Sequence, residues 1–143
     1  NESNLSGFYH VLISNLIELN KEFRLARADV KKELSTQQYA LSFCTVTVDI
    51  GRQTGKSEYL VNATTENDIT ICTNPRQKEY LKGRIKGTVI SEGEILHEKF
   101  ESRGKQYTNI YFDDASYINP KAIKKAYVFL FDENIVQTFV NLG

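Results

Sequence analysis

Apolar residues recur at spacings of three and four through Phe8, Val11, Leu12, Leu16, Leu19 and Phe23. This is the period of a helix with one buried stripe, so residues 8–22 are predicted to form a docking helix at the entrance to the domain. Its continuation, residues 24–34, mixes Arg24, Arg27, Lys31 and Lys32 with acids, the pattern of a solvated helical face. Residues 41–49, LSFCTVTVD, are rich in β-branched and aromatic side chains and predict a buried strand entering a glycine-containing loop. A short helix is expected over residues 56–63 and a second compact strand over 68–73. After the Asn74-Pro75 break a helix is expected over 76–86, with Tyr80, Leu81 and Ile85 as its stripe. The pieces 88–90 and 94–100, separated by Ser91-Glu92-Gly93 and followed by Arg103-Gly104, read as hairpin strands. Residues 109–112 predict a third core strand that ends in Asp113 and Asp114. After Pro120 a short helix leads to residues 126–131, AYVFLF, a continuous apolar run expected as a fourth buried strand with residues 133–140 folding back over it. Alternation of strands and helices predicts an α/β fold: a mostly parallel sheet flanked by helices, with a small antiparallel hairpin insertion.

Composition narrows this picture. The chain has 143 residues, 41% hydrophobic and 25% charged, which fits one domain and excludes a collagenous, low-complexity or disordered chain. Residues 1–40 are read as an N-terminal helical region and 41–143 as the core. The absence of Met fits a fragment of a longer protein. Eighteen basic and eighteen acidic side chains cancel, so a polyanionic partner has to be met by a local patch rather than by the global field. No apolar run approaches the roughly 18 residues needed to cross a bilayer, and NESNLSG is not a secretory signal; a soluble, cytoplasmic protein without membrane contact is expected. Cys44 and Cys72 lie in apolar runs and read as small buried hydrophobes.

The most informative segment is Gly51-Arg52-Gln53-Thr54-Gly55-Lys56-Ser57, between a predicted strand and a predicted helix. In that context a loop can turn backbone N–H groups, a helix N-terminus and a lysine toward phosphates. Gly55 permits close backbone approach, Lys56 can reach the β- and γ-phosphates, and the Ser57 hydroxyl can ligate Mg²⁺. The usual pattern has glycine six residues before the lysine, where this chain has Ile50. A Gly-Lys-Ser in a plain surface turn is the alternative. A phosphate loop also needs an acid at the end of a neighbouring strand to hold Mg²⁺, and usually a second acid to activate water. Asp113 and Asp114 have that form; a turn or helix cap is the other reading of such a pair.

These residues resemble the ATPase domain of the large terminase subunit, the DNA-packaging motor of tailed phages, within the P-loop NTPase superfamily. That family's loop has the form Ser/Gly-Arg-Gln-x-Gly-Lys-Ser/Thr, which residues 51–57 match at each defined position, so that Ile50 is no anomaly. IYFDDASYI, residues 110–118, is similar to its magnesium-site strand, and Arg103-Gly104 occupies the place of an Arg-Gly pair that precedes the acids. The resemblance implies a P-loop fold that binds ATP and Mg²⁺ and couples hydrolysis to movement of double-stranded DNA. It implies phosphate binding by residues 51–57, Mg²⁺ at Ser57 and Asp113, and catalysis by Lys56, Arg52 and Asp114. Partners implied are portal and small terminase proteins or neighbouring copies of the chain. Coupling residues are sought at Thr138 or Asn141, and adenine contacts at Gln37, Gln38 or Tyr39, where a polar turn is the plain reading. No nuclease site is expected. Another P-loop helicase or translocase, or a nucleotide-binding module without turnover, are the rival functions.

Other polar residues add less. His10 and His97 are too far apart in sequence to propose a metal site. Arg76, Lys78, Lys82, Arg84 and Lys86 share one predicted helix, either as a solvated face or as a contact with the DNA backbone or a neighbouring subunit. The eight Tyr and eight Phe residues mostly read as core.

Overall fold

The computed structural model describes residues 2–26, 34–48, 56–99 and 105–143. Among them five short strands, β1 (Thr45–Val48), β2 (Ile69–Cys72), β3 (Thr88–Ser91), β4 (Asn109–Asp113) and β5 (Thr138–Leu142), form one sheet in the order β1-β5-β4-β2-β3. Every pairing is parallel, with Thr45 opposite Phe139, Ile110 opposite Phe139, Ile69 opposite Ile110 and Ile69 opposite Thr88. The fold is therefore α/β, as the sequence predicts. Helices α1 (Glu2–Ala26), α3 (Lys56–Ala63) and α4 (Pro75–Lys82) cover one face; α2 (Thr36–Phe43), α5 (Glu92–Leu96) and α6 (Pro120–Leu130) cover the other. A sheet covered on both faces needs apolar side chains at alternate and intervening positions alike, which is why β2 reads ITIC with all four residues buried. Tyr111, Val140 and Leu142 point to the α1/α3/α4 layer; Ile110, Phe112 and Phe139 point to the other.

Four expectations are corrected. First, residues 41–43 belong to α2, because Ser35 and Gln38 form a reciprocal capping box that starts a helix through Phe43. Second, there is no antiparallel hairpin among the described residues: β3 pairs parallel with β2, and residues 94–96 are helical. The Ser91-Glu92-Gly93 break is a helix start, with Glu94 Oε2 accepting from the Ser91 backbone N–H at 2.8 Å. Third, the run AYVFLF is the second half of α6, not a strand. Asn119 caps this helix and Pro120 occupies its first turn, while Ala122, Ala126, Tyr127 and Leu130 form its buried face at helical spacing; Val128 and Phe129 are exposed and fill the apolar run. The fourth core strand is β5, which sits inside the sheet rather than over it.

Fourth, most of the predicted stripe of α1 is exposed. Phe8 is 76% exposed and Val11, Leu12, Leu19 and Phe23 are also exposed, Phe23 stacking on Phe43; Leu16 packs against the core as predicted, and the helix buries Ile13 and Ile17 beside it. The inward face continues through polar residues: Asn20 Nδ2 donates to Phe43 O at 2.8 Å, and the Arg24 guanidinium donates to Gln137 O and to Thr138 Oγ1. A hydrophobicity pattern ranks such a mixed face second. Residues 27–33 of the expected continuation lie outside the described residues.

The edge where the strands begin is pinned by Asp68, which is fully buried. Its carboxylate accepts from Thr65 N, Asn109 N and Asn109 Nδ2, and its backbone carbonyl accepts from Thr88 N, tying β2 to β3 and β4. Burial raises the Asp68 carboxyl pKa, an effect its hydrogen bonds oppose. Gly87 closes this turn with φ of 82°, and a Cβ there would meet Asp68 O and lie 2.6 Å from Thr65 O. Gly87→Ala should therefore destabilise the fold by about 1–3 kcal/mol from left-handed strain and crowding. In a thermal melt this appears as a drop of roughly 3–10 °C, and an unchanged melting temperature would contradict the close approach.

Candidate functional site

All five strands being parallel, their C-terminal ends share one edge, the usual place for a ligand in such a sheet. Val48, Cys72, Ser91, Asp113 and Leu142 end there. Lys56 opens α3 on this edge, eight residues after β1 ends. The rest of the predicted phosphate loop, Gly51, Arg52, Gln53, Thr54 and Gly55, lies outside the described residues, as does Arg103-Gly104.

Lys56 is only 9% exposed, and its Nζ donates to Asp114 Oδ1 at 3.1 Å. These two residues are 58 positions apart in sequence and follow strands that do not touch, since β5 lies between β1 and β4. The end of β5 fills the gap. Gly143 N donates to Val48 O at 2.8 Å, and Ser116, in the 3-10 turn Ala115–Tyr117, donates to Gly143 O from both its N–H and its hydroxyl. Gly143, with φ of 77°, lies so close to the Lys56 ammonium that a Cβ would collide with it. Three strand ends are thus gathered around one buried cation.

Asp114 adopts the left-handed conformation (φ 54°, ψ 52°), which a short polar side chain tolerates better than most. The turn sends the two neighbouring carboxylates apart. Asp114 reaches Lys56, while Asp113, 2% exposed, takes a 3.0 Å hydrogen bond from Gln77 Nε2 on Oδ2. Gln77 stands in the first turn of α4, where its backbone N–H is capped by Asn74 Oδ1 at 2.9 Å. Burial, reinforced by the adjacent Asp114 charge, raises the Asp113 carboxyl pKa; Gln77 and Lys56 oppose the rise. A divalent cation beside it would reverse that balance and hold it ionised. Cys72, also fully buried on this edge, has its thiol pushed up to about 12, first by burial and then by Asp113, and is a neutral packing group that donates to Ile90 O.

The predicted residues separate into those brought together and those left apart. Lys56 meets Asp114, Ser57 follows Lys56 on α3, and Asp113 stands beside Asp114. Asn141 ends up near this edge, with Nδ2 donating to Thr47 Oγ1, whereas Thr138 begins β5 at the far edge and is held by Arg24. Tyr39 is stacked with Phe43 and close to Phe131, at the end of the sheet where β1 begins, and Gln38 is spent on the α2 cap; neither joins the site. The side chain of Gln37 lies outside the described residues. Gln77 and Gly143 were not singled out by sequence. Asn74-Pro75 announces the helix start that carries Gln77, but nothing in the spacing ties Gln77 to Asp113.

Ser57 and Asp113 carry hard oxygen donors of the kind Mg²⁺ takes, and with two of them phosphate oxygens and water would have to complete an octahedron. No group of three or more His, Cys, Asp or Glu side chains that could cage a metal exists among the described residues, and His10 and His97 remain apart, His10 packing against the Tyr59 ring. No family model, curated protein or solved structure matches this chain. Among the described residues no helix is long and apolar enough to cross a membrane.

Proposed function

We propose that the chain is a Mg²⁺-dependent P-loop ATPase of the large-terminase kind, which hydrolyses ATP to ADP and phosphate and couples this to movement of double-stranded DNA in the cytoplasm. The observation that carries the proposal is the 3.1 Å contact between Lys56 and Asp114, which joins the end of the Gly-Lys-Ser segment to the acidic strand end. Phosphates entering at the start of α3 would take Lys56 from Asp114 and gain backbone N–H groups from residues 51–55, with Arg52 turned toward the γ-phosphate. Asp114, released, would accept the proton of the water that attacks the γ-phosphorus as the bond to the ADP oxygen breaks. Mg²⁺, held through Ser57 and Asp113, would supply charge neutralisation on the phosphates. Gln77 fixes the Asp113 carboxylate, which makes it a positioning residue. The motor role, with portal or small terminase partners or neighbouring copies, rests on the resemblance of GRQTGKS and IYFDDASYI.

Calorimetry with Mg-ATP tests the reading directly: saturable binding is expected, and no heat at millimolar ATP would overturn it. The mutual neutralisation of Lys56 and Asp114 also favours a module that binds ATP without turnover. Phosphate release, measured with and without double-stranded DNA, separates the two.

A further inference from the structure

α4 and the turn after it form a basic surface on the outer side of the sheet. Arg76, Tyr80 and Arg84 recur every four residues and are all exposed, Tyr80 by 47%. The helical turn continues past α4, since Arg84 N and Ile85 N both donate to Leu81 O, so these three side chains form a column about 12 Å long at the helical rise. Lys82 and Lys86 are exposed on the other flank of the same helix and turn, with Glu79 between them and the column.

None of Arg76, Lys82, Arg84 and Lys86 has a carboxylate within 4.0 Å among the described residues; the salt bridges there use Lys21, Lys56, Lys78 and Lys125 instead. Lys78, on the same helix, is neutralised by Glu94 at 2.8 Å, and within residues 76–86 Glu79 is the single acid. In a chain whose charges sum to zero, four such cations along one helix and its following turn are a segregation of charge. We infer that this surface binds the phosphate backbone of a nucleic-acid duplex, without reading its sequence. The choice of double-stranded DNA as the duplex rests on the function proposed above.

The geometry favours a duplex over a single strand. The Arg84 guanidinium lies over the Tyr80 ring at 4.4 Å, so this ring braces a cation instead of offering that face to an unpaired base. Cations fixed at helical spacing match the regular phosphates of a duplex, and such contacts position without specifying sequence.

The test is fluorescence anisotropy of the whole chain with a labelled duplex of arbitrary sequence, about 30 base pairs long, between roughly 50 and 200 mM salt and without nucleotide. Four or so phosphate contacts predict a log–log salt slope near ~−4. Arg84→Ala with Lys86→Ala should weaken binding by about tenfold and make the slope shallower by about 2. Lys121→Ala with Lys124→Ala removes the same charge from exposed positions on α6 and should leave affinity unchanged. Arg76→Gln with Lys82→Gln gives a second test away from the turn and should also weaken binding. Equal losses in the α4 and α6 variants, tighter binding of a single strand, or no binding by the wild type at low salt would each overturn the assignment. Failure here is distinct from failure of the ATPase reading. If Mg-ATP binds but the α4 variants keep full duplex affinity, only the surface is wrong. If Mg-ATP does not bind while those variants lose duplex affinity, only the ATPase reading is.

Discussion

Lys56→Ala is expected to remove Mg-ATP binding to within calorimetric background and phosphate release with it, while circular dichroism and the thermal melt stay near wild type. The expectation follows from where the ammonium is. Its side chain is only 10% exposed beside Asp114 and Gly143, so its charge is less screened and counts for more against a phosphate than a surface lysine would. Removing one preorganised charge of this sort costs about 10²–10³ in rate in comparable oxyanion sites. The cost to the fold is small, because the partner carboxylate is already 39% exposed and can be hydrated; a pair of this kind contributes about 1 kcal/mol or less. Wild-type affinity for Mg-ATP in Lys56→Ala would show that the Lys56–Asp114 contact is merely an ion pair at a strand end.

The largest effect on stability should come from Phe139→Ala. Phe139 lies on β5 in the interior of the sheet, fully buried, with its ring 4.1 Å from that of Tyr127 and 6.4 Å from those of Phe112 and Phe131. Truncation removes the member that touches all three and leaves a cavity between sheet and α6, a loss of about 3–5 kcal/mol. For a domain of this size the melting temperature should fall by roughly 10–20 °C. Phe139→Leu keeps most of the volume and should cost much less, about 1.5 kcal/mol. A loss in the alanine variant no larger than in the leucine variant would mean that the stack is not a centre of the core.

Much of this architecture was legible in the chain, for reasons that differ by element. The 56–63 helix and the strands at 69–72 and 109–113 were readable because each is short, strongly patterned and bounded by turn chemistry. The acid pair and Lys56 were readable as candidates because side-chain chemistry survives without a fold. What failed was segments whose local pattern admits two answers. A continuous apolar run fits a buried strand and a helix with a half-exposed apolar face equally well, and only the cap at Asn119 separates them at 120–131. Ser91-Glu92-Gly93-Glu94 contains both a glycine turn and a capping box, and the capping box prevails. Gln77 could not be identified by spacing alone, since its importance arises from the strand order that brings β2 beside β4.

That strand order also fixes when the site can exist. β5, the last of the described strands to leave the ribosome, is the one that fits between β1 and β4. Until it inserts, the sheet is split into a lone first strand and a three-stranded remainder, and Lys56 and Asp114 have nothing to hold them at contact distance. The Lys56–Asp114 contact therefore depends on β5, although neither residue belongs to it. That contact is in this sense a sign that the whole sheet is complete.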